Sequence, residues 1–289
     1  MSEAVAALIE HEGLPAGYRE IVERYWQPLA DEIVRRAAER SPLIVGINGA
    51  QGAGKSTLCR FLEVLLERRG SHAVTLSIDD LYLTKAERER LAREVHPLLA
   101  TRGVPGTHCP ALGLAIIEAV RAGHSFDMPR FDKSIDDRSP QVEPVAGPVD
   151  VLLFEGWCLG AGPQEQYALA TPVNALEAEE DPAGTWRQFV NDALRNDYAA
   201  LFEELDMLVM LKVPDFQAVR RNRALQEEKL RARSPEAPGL MDATALKHFL
   251  DQDERLTEHM FAEMPPRADV LVEIGRDQRP VRLSTAAHS

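Results

Sequence analysis

The sequence predicts an α/β fold, a parallel sheet wrapped by helices. Two observations carry the prediction. Short apolar, β-branched runs alternate with segments of helical periodicity, the pattern of parallel strands joined by crossover helices. One such run, Leu43 to Ile47, leads into a glycine-rich loop and then a helical stretch, the strand–loop–helix order of a phosphate-binding unit.

Taken in order, the first 40 residues read as helical, with Ile21, Val22, Tyr25, Trp26, Leu29, Ile33 and Val34 at helical spacing until Ser41-Pro42 breaks the pattern. Leu43–Ile47 suits a strand covered on both faces. Helices are expected over Leu58–Arg69, Thr84–Arg93, Ala111–Ala122, Thr185–Glu204, Phe216–Arg233 and Ala243–Phe261. Further strands are expected over Ala73–Ile78, Val149–Phe154, Met207–Val213 and, last, Ala268–Ile274. Arg130–Pro148 and Cys158–Gly184 read as long loops, which in a compact domain are often functional.

Composition narrows the classes. A net charge of −13 argues against a nucleic-acid partner, whose binder would carry a basic surface. No apolar stretch approaches the ~20 residues that span a bilayer, so no membrane is expected. Three cysteines, Cys59, Cys109 and Cys158, without a CxxC pair, indicate neither a disulfide framework nor a zinc site and point to a reducing, cytoplasmic setting. The sequence does not fix an oligomeric state.

The strongest motif is Gly49-Ala50-Gln51-Gly52-Ala53-Gly54-Lys55-Ser56, a full match to the Walker A pattern GxxxxGK[ST]. Its glycines let successive main-chain N–H groups turn inward onto phosphate oxygens, and the helix that follows adds its positive end. Gly49 through Thr57 are the expected nucleotide contacts, with Lys55 on the β- and γ-phosphates of ATP and Ser56 on Mg²⁺.

In a parallel sheet, ligands sit beyond the carboxyl ends of the strands. Asp79-Asp80 follow one strand and Glu155 another. A carboxylate beside an acceptor hydroxyl can orient it and take its proton as the phosphate bond forms. Asp79 is the expected base and Asp80 the reserve, because neighbours on an extended segment point opposite ways. Glu155 is the expected carboxylate on the Mg²⁺ side. Arg130, Lys133 and Arg138 stand within nine residues of one loop and could clamp an anionic acceptor. Arg220, Arg221, Arg223, Lys229, Arg231 and Arg233 crowd one helix, where an arginine closing over the γ-phosphate would assist transfer. Pro235 to Gly239 makes a turn or hinge after it.

Several strings together resemble the D-glycerate 3-kinase family, within the phosphoribulokinase, uridine kinase and pantothenate kinase group. They are Gly46 to Thr57, Ser77-Ile78-Asp79-Asp80-Leu81-Tyr82-Leu83-Thr84, Arg102-Gly103 with Pro105-Gly106-Thr107-His108, Pro129 to Ser134 with Asp137-Arg138, and Leu153-Phe154-Glu155-Gly156-Trp157. The resemblance implies a nucleoside-kinase-like, three-layer P-loop fold with a mainly parallel five-stranded sheet. It implies ATP and Mg²⁺, with D-glycerate as acceptor. Asp79, Tyr82, His108, Arg130, Lys133, Arg138 and Glu155 would form the acceptor site, with Lys55, Asp79, Asp80 and Arg223 at the reaction. The expected organisation is a helical extension over 1–42 and a kinase domain over 43–289 with a lid around 214–240. The chain departs from the family at Cys109, where an aspartate follows Thr-His, and lacks the Pro- and Tyr-rich stretch near Asp253 to Phe261. Uridine, pantothenate or a sugar phosphate as acceptor, and a regulatory ATPase, are the competing readings.

Overall fold

Helices α1 (Glu3–His11) and α2 (Tyr18–Ile21) open the chain in the computed structural model, which describes residues 3–233 and 241–286. A π-helical stretch, Val22–Trp26, leads into α3 (Gln27–Glu39). Strand β1 (Leu43–Gly49) and helix α4 (Lys55–Glu67) flank the glycine-rich loop, and β2 (Ala73–Ser77) follows. Helices α5 (Lys85–Glu94) and α6 (Pro110–Arg121) come next. Short strands β3 (Phe126–Met128), β4 (Phe131–Asp132), β5 (Asp137–Arg138) and β6 (Glu143–Val145) precede β7 (Val151–Gly156). Helices α7 (Ala175–Glu180), α8 (Thr185–Arg195) and α9 (Asp197–Glu203) lead to β8 (Met207–Lys212). Then come α10 (Phe216–Arg233), α11 (Ala243–Glu263), β9 (Val270–Ile274) and β10 (Pro280–Thr285).

The central sheet has six strands in the order β10-β9-β8-β1-β7-β2. Five are parallel, and β10 closes the β9 edge antiparallel. The five-stranded expectation is thus corrected by one strand, and Ala268–Ile274 is not the last. β1 and β7 are buried at every residue, as apolar runs covered on both faces must be.

The alternation of strand side chains sorts the core into two layers. Leu43, Val45, Ile47, Val151 and Leu153 face α3 and α4, packing with Leu29, Ile33, Phe61 and Leu62. Ile44, Leu152 and Phe154 face the other way, toward Ile116 and Val120 of α6 and Leu201 of α9. The first helices join the α4 layer, where Tyr18 stacks on Phe61 at 5.3 Å. Helix α11 reaches both layers, with Leu250 in one and Met260 in the other.

Two further expectations are corrected. The helix expected over Thr185–Glu204 is two, broken at Asn196, whose φ of −106° and ψ of −95° are not helical. The stretches expected as loops carry structure of their own. β3 pairs with β6 and β4 with β5 in antiparallel ribbons, while α7 forms within Cys158–Gly184 behind an Asn174 cap. Among the described residues no helix is long and apolar enough to cross a membrane. The turn expected at Pro235 to Gly239, the side chain of Arg233 and Gly239 lie outside the described residues.

Candidate active site

The register of the sheet brings the site together. Ile47 pairs with Glu155 and Glu155 with Ser77, so three strands end side by side at their carboxyl edge. From β1 the chain turns through the glycine-rich loop. Gly52 takes φ +73°, and a Cβ there would meet Asn222 Cβ of α10 at 2.8 Å, so the position demands glycine twice over. Lys55 Nζ donates to the carbonyls of Gly49 at 2.7 Å and Ala50 at 3.4 Å, so the ammonium is held inside its own loop. Ser56 Oγ donates to Glu155 Oε1 at 3.2 Å. Ala50 and Ala53 are buried beneath the loop, while Gln51, Gly54 and Thr57 line the cleft above it.

After β2, a single 3₁₀ turn, Ile78–Leu81, sends the two aspartates apart. Asp79 opens into a cleft of about 710 Å³ that also takes in Lys55, Glu155, Tyr82, Lys133 and Arg223. Lys133 Nζ donates to Asp79 Oδ2 at 2.6 Å. Burial works to raise the Asp79 carboxyl, but the Lys133 ammonium, with lesser pulls from His108 and Lys55, overrides burial and leaves it below its ordinary value. Asp80 faces a separate cavity of about 880 Å³, lined also by Arg130, Glu63 and Glu143. It accepts Arg130 Nη1 at 2.9 Å and the Phe131 amide at 3.0 Å. Burial raises its carboxyl despite these partners, and Asp79 adds to the rise. Lys55 lines the cleft of Asp79 and not the cavity of Asp80, while Ser56, at the end of the phosphate loop, lines both.

The ribbon that carries Lys133 is anchored from below. Fully buried Arg88 donates to the carbonyls of Leu83 at 3.3 Å, Ala100 at 2.8 Å and Asp136 at 2.6 Å. Arg102 pairs with the Asp136 carboxylate and lies over the Phe131 ring at 5.5 Å. Arg138 Nε donates to the Tyr82 carbonyl at 2.8 Å. His108 stacks on Tyr82, ring centroids 4.3 Å apart, and is 3% exposed. Burial holds its imidazole down, to about 4, against the pull of Asp79.

Of the basic residues on α10, Arg223 and Lys229 line the cleft, Arg223 paired with Glu227 at 2.8 Å. Arg220 instead ties α10 to α11 through Asp251 at 2.7 Å, Arg221 lies 3.8 Å from Asp215, and Arg231 donates to the Met241 carbonyl.

Two residues near the cleft escape sequence reasoning. Asp253, 3% exposed on α11, accepts Gln51 Nε2 at 2.6 Å, and burial, with Asp79 adding to it, raises its carboxyl well above the usual range. Its signal is an acid on an apolar stripe, between Leu250 and Leu256. Tyr198, 1% exposed on α9, reaches His108 from 90 residues away and leaves no local signal beyond core periodicity.

A Walker-type loop at the head of β1, with carboxylates at the ends of the neighbouring strands, defines a P-loop kinase. No family model matches the chain. It is 32% identical over 229 residues to the uncharacterized kinase mug58 of Schizosaccharomyces pombe, covering 74% of this chain and 80% of that one. It is 30% identical over 263 residues to the chloroplastic D-glycerate 3-kinase of Arabidopsis thaliana, covering 83% of this chain but 54%, about half, of the plant enzyme. Among solved structures, the D-glycerate 3-kinase of Cryptococcus neoformans superposes with a TM-score of 0.75 at 25% identity, over 90% of this chain and 98% of that one. The chain belongs to the D-glycerate 3-kinase-like family of P-loop kinases.

Proposed function

We propose that this kinase transfers the γ-phosphate of ATP to a hydroxyl of a small anionic acceptor, D-glycerate first among the candidates. The observation that carries the reading is the meeting of Lys55, Asp79 and Lys133 in one cleft. The main-chain amides from Gly49 to Ser56 and the Lys55 ammonium grip the triphosphate. Asp79 orients the acceptor hydroxyl and takes its proton, and its lowered carboxyl keeps it ionised for that task. Lys133 and Arg138 supply positive charge for an acceptor anion, which favours a hydroxy acid over an uncharged nucleoside. Arg223 meets charge developing on the transferred phosphoryl group. Ser56 and Glu155 present oxygen donors only, 3.2 Å apart at the mouth of the loop, a donor set that fits Mg²⁺. Bound there, the ion would neutralise charge on the phosphate oxygens.

The same reading divides the chain into a helical extension over 1–42 and a kinase domain over 43–289 with a lid around 214–240, of which α10 is the described part. The three cysteines are free, in keeping with a reducing compartment such as the cytoplasm.

A coupled ADP-release assay across D-glycerate, pantothenate, uridine and sugar phosphates tests the proposal. D-Glycerate should give the highest kcat/KM, and Lys55→Ala should abolish turnover. ATP hydrolysis that no acceptor stimulates would refute it in favour of a regulatory ATPase, and a better substrate within the panel would replace D-glycerate.

A further inference from the structure

The Tyr198 hydroxyl has three hydrogen-bond partners, and their directions fix the protonation of His108. Its oxygen accepts the backbone N–H of Gly106 at 3.0 Å and that of His108 at 3.3 Å. A phenol has one proton and two acceptor positions, so with both taken its proton goes to the third partner. That partner is His108 Nδ1, at 2.6 Å. Nδ1 is therefore an acceptor, and the proton of the neutral ring sits on Nε2.

That Nε2–H is buried and has no hydrogen-bond partner among the described residues. Native structures rarely leave such a donor unmatched unless a ligand or water completes it. A second unmatched donor belongs to another neighbour of Tyr82. Arg138 spends its Nε on the Tyr82 carbonyl, while its Nη2 is buried without a partner among the described residues. His108 stacks on the Tyr82 ring, and Tyr82 lines the cleft that holds Asp79 and Lys133. Both unsatisfied donors thus adjoin Tyr82 of the cleft wall, His108 behind its ring and Arg138 at its carbonyl, and an anionic oxygen reaching past that wall is the kind of acceptor such donors take.

We propose that His108 is a fixed, uncharged hydrogen-bond donor to a carboxylate oxygen of the acceptor, and that Tyr198 is the positioning residue that holds it so. The proposal rests on reading this cleft as the acceptor site. The missing charge matters. An imidazolium here would pair with Asp79 and draw on the negative charge that the acceptor hydroxyl needs. A neutral N–H binds the acceptor without doing so. Burial of the ring, which suppresses its protonation, works in the same direction.

Nitrogen-15 NMR of the full chain labelled at histidine tests the tautomer with no substrate present. His108 should show a protonated Nε2 and an unprotonated Nδ1 throughout the neutral range, and D-glycerate should shift the Nε2–H signal. Tyr198→Phe should mix the tautomers and raise KM for D-glycerate on the order of tenfold, with KM for ATP within about twofold. His108→Gln, which keeps an N–H donor of similar reach, should retain more affinity for D-glycerate than His108→Ala. An imidazolium or an Nδ1–H tautomer in the unaltered chain overturns the proposal. So does a D-glycerate KM indifferent to both His108 variants. Should D-glycerate prove no substrate at all, the proposed function falls, while the tautomer, read without turnover, is judged on its own spectrum.

Discussion

The Lys133 ammonium sits 2.6 Å from Asp79 Oδ2, although 54 residues separate the two in the chain. The β4–β5 ribbon delivers it, and Arg88 and Arg102 clamp that ribbon through Asp136. With Asp79 as the proposed base, this pair is expected to set the acid side of the kinase's pH profile. Asp79 is held below its ordinary value, so it is ionised above that depressed pKa and activity is lost only as pH falls through it. Lys133→Met removes the main influence that lowers it and leaves burial to raise it. The acid limb of kcat/KM should therefore move to higher pH in Lys133→Met, as a pH–rate profile would reveal.

Asp79→Asn should lower kcat by roughly 10²–10⁴, the usual scale for losing a general base. Binding of a non-hydrolysable ATP analogue, followed by calorimetry, should stay within about twofold, a change of some tenths of a kcal/mol. Asp80→Asn should cost much less, because its carboxylate opens to the other cavity and is engaged by Arg130 and the Phe131 amide. Equal losses in the two variants would reverse the assignment.

Asp253 predicts a gain in stability. Its carboxyl is raised by burial, so between the unfolded and folded pKa values the native state binds more protons than the unfolded one. Stability contributed there falls as pH rises above the ordinary carboxylate range. Asp253→Asn keeps an oxygen for Gln51 Nε2 and removes the charge. It should raise Tm, with a larger gain at pH ~8 than at pH ~5, because the cost it removes grows with pH. Calorimetric scans at the two pH values would decide.

Glu177 and Arg255 form a bidentate pair at 2.7 and 2.6 Å, and Glu177 is fully buried. Removing one member leaves the other charge stranded. Glu177→Ala should cost about 3–5 kcal/mol in urea unfolding, the scale for breaking a buried pair. A loss below about 1 kcal/mol, the scale of a surface pair, would show that water reaches Arg255.

The sequence was most legible where local chemistry is self-sufficient. The glycine-rich loop is contiguous, and β1 and β7 announce themselves by unbroken burial. β10 does not, because it is an exposed edge strand with only Pro280 buried and no unbroken apolar run. The break at Asn196 is invisible because Trp186, Val190, Leu194, Tyr198 and Leu201 keep one apolar rhythm across it. Residue type and position single out Asp79 and Lys133 one at a time, without showing that they pair. That Asp80 turns to a different cavity depends on one 3₁₀ turn, and the Tyr198–His108 and Asp253–Gln51 contacts on tertiary packing, which no local pattern encodes.

Because Gly52 lies against Asn222 with no room for even a methyl group, the turn and the α10 backbone behave as meshed gears. A rotation of that helix cannot leave the glycine-rich turn undisturbed. Any variant that thickens this contact, Gly52→Ala first among them, would register as blunted nucleotide affinity before it registered anywhere else in the catalytic cycle.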